Sequence, residues 1–152
     1  MRNYLIWLGA LFSLALLNWD IFEREQVREH GETVYLKLAP VDPRSLMQGD
    51  YMALRYDIAR QVDRDQLDPV SGRLIMQLDA QNIASFSRVD DGRDLDANER
   101  YLRYKNRHGA RFGLESFFFQ EGQAERYADA EYAEIKLTSD GSALLVDLVN
   151  LP

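Results

Sequence analysis

From Glu32 onward, apolar and polar residues alternate with a period of two. Val34, Leu36 and Leu38 interleave with Thr33, Tyr35 and Lys37. Met52, Leu54, Tyr56 and Ile58 interleave with Tyr51, Ala53, Arg55 and Asp57. The pattern returns at Leu74, Met76 and Leu78, at Phe112, Leu114, Ser116 and Phe118, at Ala133, Ile135 and Leu137, and at Leu144, Val146 and Leu148. This is the periodicity of half-buried strands, and one-faced burial favours antiparallel pairing. Turn-forming clusters separate the runs: Pro40 to Gly49, Asp68-Pro69 to Gly72, Asp79 to Asn82, Asp90-Asp91-Gly92, Arg107-His108-Gly109 and Ser139-Asp140-Gly141. The last is the cleanest hairpin signal, an Asp-Gly between two alternating runs. Only Gln123 to Ala130, rich in Ala, Glu and Arg, reads as a short helix. The expectation is a mainly β domain, an antiparallel sandwich or partly open barrel of about eight strands.

The first thirty residues follow a different rule. Tyr4 to Leu17 carries no charge, and continuing through Phe22 gives nineteen residues, roughly 28 Å of helix at about 1.5 Å per residue. Three readings compete: a signal peptide cut after Ser13-Leu14-Ala15, a buried core helix, and an uncleaved anchor. The apolar region before the cut is very short, and apolar residues cover every helical face, so the anchor is preferred. One long N-terminal transmembrane helix is therefore expected ahead of the β-domain. Arg2 before the run and Glu23-Arg24-Glu25 after it place the amino terminus in the cytoplasm of a bacterial inner membrane. Residues 23–31 continue as a polar helical stalk, with Gly31 suited to end it in the left-handed conformation. The division is then 1–22 anchor, 23–31 stalk and 32–152 extracytoplasmic β-domain.

Composition narrows the chemistry. The 152 residues suit one domain and contain no Cys, which removes disulfides, thiol catalysis and thiolate metal sites together. Eighteen Lys+Arg against 25 Asp+Glu leave a net charge of −7, opposite to a nucleic-acid-binding footprint. His30 and His108 have no ligand spacing to a partner. Asp63, Asp65 and Asp68 mimic alternating calcium ligands, yet the loop glycine and distal Glu are missing. No cofactor or metal is expected.

The densest stretch runs from Leu38 to Tyr56. Pro40 and Pro43 stiffen a crossing, Gly49 permits a positive φ at the strand entrance, and Asp50 can accept backbone N–H bonds there. Gly49-Asp50-Tyr51 followed by Leu54 and Tyr56 resembles the signature of the GDYXXLXY family of bacterial membrane-anchored proteins, a family of unknown function. The lead-in Pro40-Val41-Asp42-Pro43-Arg44-Ser45-Leu46 is similar to that family's, as is a second block, Phe112-Gly113-Leu114-Glu115-Ser116-Phe117-Phe118-Phe119. Phe117 and Phe119 depart mildly, standing where Tyr and a β-branched residue are expected. The resemblance spans nearly the whole chain and implies architecture rather than activity.

Leu54 and Tyr56 share the buried face, with Tyr51, Ala53 and Arg55 opposite. Glu115 stands on the strand face of Phe117 and Phe119, where a carboxylate calls for a cation, Arg44 or Arg55. The motif reads first as a fold-fixing network. Second, it reads as a groove lined by Asp42, Arg44, Asp50, Tyr51 and Glu115, with Gly49, Arg55, Gly113 and Ser116 beside it. Signal-peptidase-like hydrolases place a nucleophilic serine eight residues before a Gly-Asp strand entrance; here that position is Val41, and the only lysines are Lys37, Lys105 and Lys136. The leading functional expectation is a binding or assembly module for another membrane or envelope protein, touching the lipid bilayer through residues 4–22. The alternatives are a hydrolase using Asp50 and Glu115 as paired carboxylates, or a glycan-binding module using Tyr101, Tyr104, Phe117, Phe118 and Phe119.

Overall fold

The computed structural model describes residues 7–8, 11–14, 25, 27–40, 51–120 and 122–151. Its strands are β1 (Glu32–Lys37), β2 (Tyr51–Ala53), β3 (Ser71–Leu78), β4 (Ile83–Val89), β5 (Glu99–Asn106), β6 (Ala110–Arg111), β7 (Ser116–Phe118), β8 (Tyr132–Leu137) and β9 (Ala143–Val149). Two short helices, α1 (Asp57–Gln61) and α2 (Ala124–Tyr127), and a 3₁₀ turn at Arg64–Gln66 lie between them.

The strands form one seven-stranded sheet in the order β6-β5-β3-β4-β1-β8-β9 and a separate two-stranded sheet, β2-β7. This corrects the antiparallel sandwich or barrel expected from the alternation, because the large sheet is mixed. β1 runs parallel to β4, with Tyr35 opposite Ile83 and Leu36 opposite Ala84, and antiparallel to β8. Period-two alternation reports which side chains are buried and carries no information on strand direction. The run Met52 to Ile58 also divides. Its first residues make β2, Tyr56 makes a lone bridge to Leu38, and Ile58 is buried from α1.

The transmembrane helix is corrected as well. Among the described residues no helix is long and apolar enough to cross a membrane. The uncharged run Tyr4 to Leu17 is only fourteen residues, short of the roughly 20 a crossing needs, and it lengthens only by taking in Asn18 and Asp20. Much of 1–22 lies outside the described residues. Val27 to His30 are helical and lead directly into β1. Gly31 ends that helix without a positive φ. A Cβ on it would fall 2.4 Å from the Val27 carbonyl oxygen and 3.0 Å from the Lys136 Cβ, so the last helical carbonyl first, and β8 second, leave room only for glycine.

The main core gathers Val34, Leu36, Met76, Leu102 and Ile135 from the large sheet with Met52 and Phe117 from the small one and Leu54 and Tyr56 from the chain just after β2. A second cluster, Val62, Leu67, Leu74, Tyr104 and Ala110, sits toward β6. Leu74, Ile75 and Met76 are all fully buried, so β3 is covered on both faces rather than one. The sheet curls until the β8–β9 turn meets β5. The Arg103 N–H donates to the Gly141 carbonyl at 2.8 Å, and the Arg103 guanidinium pairs with Asp140 at 2.9 Å. The Asp140 carboxylate also accepts from the Thr138 and Ser142 hydroxyls and the Ser142 N–H. Those hydrogen bonds, the Thr138 hydroxyl first, hold its pKa below the ordinary aspartate value, with Arg103 adding to them.

Two consequences are measurable. Gly141 has φ +89, and a Cβ there would stand 2.9 Å from the Tyr101 Cβ, so Gly141→Ala is expected to cost about 1–3 kcal/mol in denaturant unfolding. Glu99, buried at the start of β5, accepts from the Asp96 N–H at 3.2 Å, the Ser87 hydroxyl at 2.9 Å and the Arg88 guanidinium at 2.9 Å. These bonds, led by the Asp96 N–H, hold its pKa below the ordinary glutamate value. Its stabilisation is therefore complete above the unfolded pKa of about 4.3 and lost as pH falls through the lower folded value. Glu99→Gln is expected to flatten the fall of Tm between neutral and acid pH; an unchanged acid limb would show that Glu99 is not responsible.

Candidate functional site

The two motif blocks meet as the small sheet. Tyr51 lies opposite Phe118, Met52 opposite Phe117 and Ala53 opposite Ser116. The Leu54 N–H then donates to the Glu115 carbonyl at 2.8 Å, continuing the pairing past β2. Met52, Leu54 and Tyr56 point into the core, while Arg55 is exposed and Tyr51 half-buried with its ring 5.8 Å from that of Phe118. Tyr56 is the anchor of this arrangement. Its phenol is buried and donates to the Leu114 carbonyl at 2.6 Å, and its ring meets Phe112 edge-on at 5.9 Å. Burial, with the Glu115 carboxylate second, pushes the phenol well above the ordinary tyrosine range, so it acts as a fixed donor.

Glu115 serves the backbone beside it. Arg55 is not its partner among the described residues, and Arg44 lies outside them. The Glu115 Oε1 accepts from the Phe112 N–H at 2.6 Å and its Oε2 from the Gly113 N–H at 3.0 Å. The carboxylate thus closes the turn that opens the second block. Gly113 takes φ +79 in that turn, a conformation open to glycine at little cost. Ser116 is exposed on β7. Asp42, Arg44, Gly49 and Asp50 lie outside the described residues, so the separation of Asp50 from Glu115 is not defined.

Of the five aromatics considered for sugar stacking, only Phe118 is exposed, at 74%. Tyr104 and Phe117 are buried, Tyr101 is covered by the Arg73 guanidinium at 4.2 Å, and Phe119 packs on Tyr127 at 5.9 Å. Among the described residues no three His, Asp or Glu side chains gather as a metal ion would need.

A family model described as GDYXXLXY protein matches residues 13–148. The chain belongs to the GDYXXLXY family. The letters of that name are Gly49, Asp50, Tyr51, Leu54 and Tyr56, of which the last three are described here. In them the GDYXXLXY signature is a structural device: Leu54 and Tyr56 fill the core and Tyr56 ties the first block to the second. No curated protein and no solved structure matches the chain.

The sequence reading missed a concentration of arginines beside the motif. Arg55, Arg60, Arg64 and Arg111 all line one cleft of about 400 Å³, together with His108, Gly109 and Glu115. They come from four separate segments, and nothing in their spacing announces the grouping. Tyr56→Phe is expected to cost about 1–3 kcal/mol, because it removes one bond and leaves the Leu114 carbonyl without its buried donor. Urea unfolding of wild type and variant measures it, and a change below about 0.5 kcal/mol would show the bond to be dispensable.

Proposed function

We propose that the protein works as a binding or assembly module held at a membrane by the apolar side chains of residues 4–22, with its β-domain offered to an envelope protein. One observation carries this reading. Seven large apolar residues are exposed among those described, and five of them, Trp7, Leu8, Leu11, Phe12 and Leu14, crowd into the first fourteen positions at 62–75% exposure. Scattered apolar exposure is ordinary, whereas a contiguous run asks for an apolar environment to cover it. The remaining two, Val70 and Phe118, are isolated on the β-domain. The surface of that domain is otherwise polar and its acidic excess is large, which suits recognition by charge and shape.

The test uses the full chain with phospholipid vesicles. The wild type is expected to float with the vesicles in a density gradient, and a Leu8→Glu, Leu11→Glu, Phe12→Glu variant to stay at the bottom with an unchanged β-sheet circular dichroism. A wild type that stays at the bottom overturns membrane association. For the module itself, crosslinking in native membranes is expected to recover one reproducible protein neighbour. Recovering none, together with turnover of an envelope substrate by the purified chain, would replace the module with an enzyme.

A further inference from the structure

The arginine cleft stands out against the charge of the whole chain. In a protein with net charge −7, four arginines line one concavity of about 400 Å³. Arg55 follows β2, Arg60 is the last-turn cation of α1, Arg64 opens the 3₁₀ turn, and Arg111 ends β6. The β5–β6 turn forms the remaining wall. His108 stands there at φ +62 and Gly109 at φ +131, and a Cβ on Gly109 would lie 4.0 Å from the Arg64 Nε. A non-glycine residue held in the left-handed region is uncommon and costs of order 1 kcal/mol or more.

Five arginines elsewhere are neutralised locally, whereas Arg28, Arg107 and Arg126 have no ion pair among the described residues. Arg73 pairs with Asp90, Arg88 with Asp91 and Glu99, Arg93 with Asp91, Arg100 with Glu32 and Arg103 with Asp140. Arg55, Arg60, Arg64 and Arg111 have no ion pair among the described residues. The one carboxylate on the cleft wall, Glu115, has both oxygens engaged by the Phe112 and Gly113 N–H groups. Among the described lining residues the cleft therefore carries four exposed arginines against the single Glu115 carboxylate, a net positive charge.

We propose that this cleft is a binding site for a phosphate-bearing anion. Guanidinium forks match phosphate oxygens two at a time, and several forks aimed from different segments suit a multiply charged group better than a lone carboxylate. The volume fits a phosphorylated small group or a single headgroup. A nucleic-acid duplex would need an extended basic stripe, and the rest of this surface is acidic. The cleft lies beside the motif, lined by Leu54, Arg55 and Tyr56, with Arg55 just past the small sheet and the other three arginines brought in by α1, the 3₁₀ turn and β6. The proposal stands independently of the membrane-held module.

The test is calorimetric titration of the full chain in detergent with inorganic pyrophosphate, at about 0.15 M salt so that loose surface attraction is screened. Saturable binding with Kd below about 1 mM is expected. Arg60→Ala with Arg111→Ala should weaken it by about tenfold or more, with thermal unfolding unchanged because both side chains are exposed. Arg93→Ala, which removes an arginine paired with Asp91 away from the cleft, should leave it unchanged. No saturable binding, an unweakened double variant, or citrate binding as tightly as pyrophosphate would each overturn the proposal. Vesicles identify the source of the phosphate. A preference for phosphatidylglycerol over phosphatidylcholine that the double variant loses assigns it to a lipid headgroup. Pyrophosphate binding with an unaltered vesicle preference assigns it to a soluble ligand.

Discussion

The buried hydrogen bond from the Tyr56 phenol to the Leu114 carbonyl is the constraint around which this domain is arranged. It joins positions 58 residues apart in sequence at 2.6 Å. Leu114 lies inside the turn that Glu115 closes through the Phe112 and Gly113 N–H groups, so the bond secures a local turn against a distant strand. On one side of it, β2 and β7 pair and deliver Met52, Leu54 and Phe117 to the main core. On the other, Phe112 packs against the second cluster under β6. Each three-residue strand is too short to be stable alone; the phenol and the carboxylate supply the register that length does not.

The large sheet has a related dependence on non-local contacts. β1 is first in the chain among the strands and sits between β4 and β8, the one parallel and the other antiparallel to it. Its parallel neighbour is reached only after β2, α1, the 3₁₀ turn and β3 have been laid down. Local structure helps where it can. Asp79 accepts from the Gln81 and Ile83 N–H groups to shape the β3–β4 turn, with Asn82 at φ +60. Asp140 does the same for β8–β9. These hairpins can form early, while the insertion of β1 between them must wait for loop closure.

Much of the core was legible in the sequence, because a period of two in Val34–Leu38, Met52–Tyr56 and Ala133–Leu137 is itself a statement about burial. The turn at Ser139-Asp140-Gly141 and a helix within Gln123 to Ala130 were legible for local chemical reasons. Strand direction was not, since Tyr35 meets Ile83 through a topology no local pattern encodes. Helix α1 was hidden because Ile58 continues the strand alternation while Asp57, Ala59 and Gln61 tolerate either state. The local role of Glu115 was hidden for a related reason. Its aromatic neighbours implied a need for a cation, and the sequence did not show that two peptide N–H groups within three residues also bind it. The uncharged run Tyr4 to Leu17, extended to Phe22, was read as a crossing helix from its length and its apolar character on every face, and length was the weakest part of that inference.

The arginine grouping was illegible for the most basic reason: Arg55, Arg60, Arg64 and Arg111 become neighbours only when the small sheet, α1, the 3₁₀ turn and β6 are all in place. Their gathering opposes folding to some degree. Two like charges about 4 Å apart repel by about 1 kcal/mol even in water, and more near a protein surface. Exposure keeps that cost low, which explains why the fold tolerates four arginines beside the single Glu115 carboxylate. It also means that any anion entering the cleft relieves repulsion as well as forming bonds. Such a ligand binds the folded form and not the unfolded chain, where the four arginines are dispersed, so occupancy and stability are thermodynamically linked. The Tyr56 phenol lies under this linkage: it ties the chain next to Arg55 to the turn that directly follows Arg111, and so connects a core contact to the charge of the surface above it.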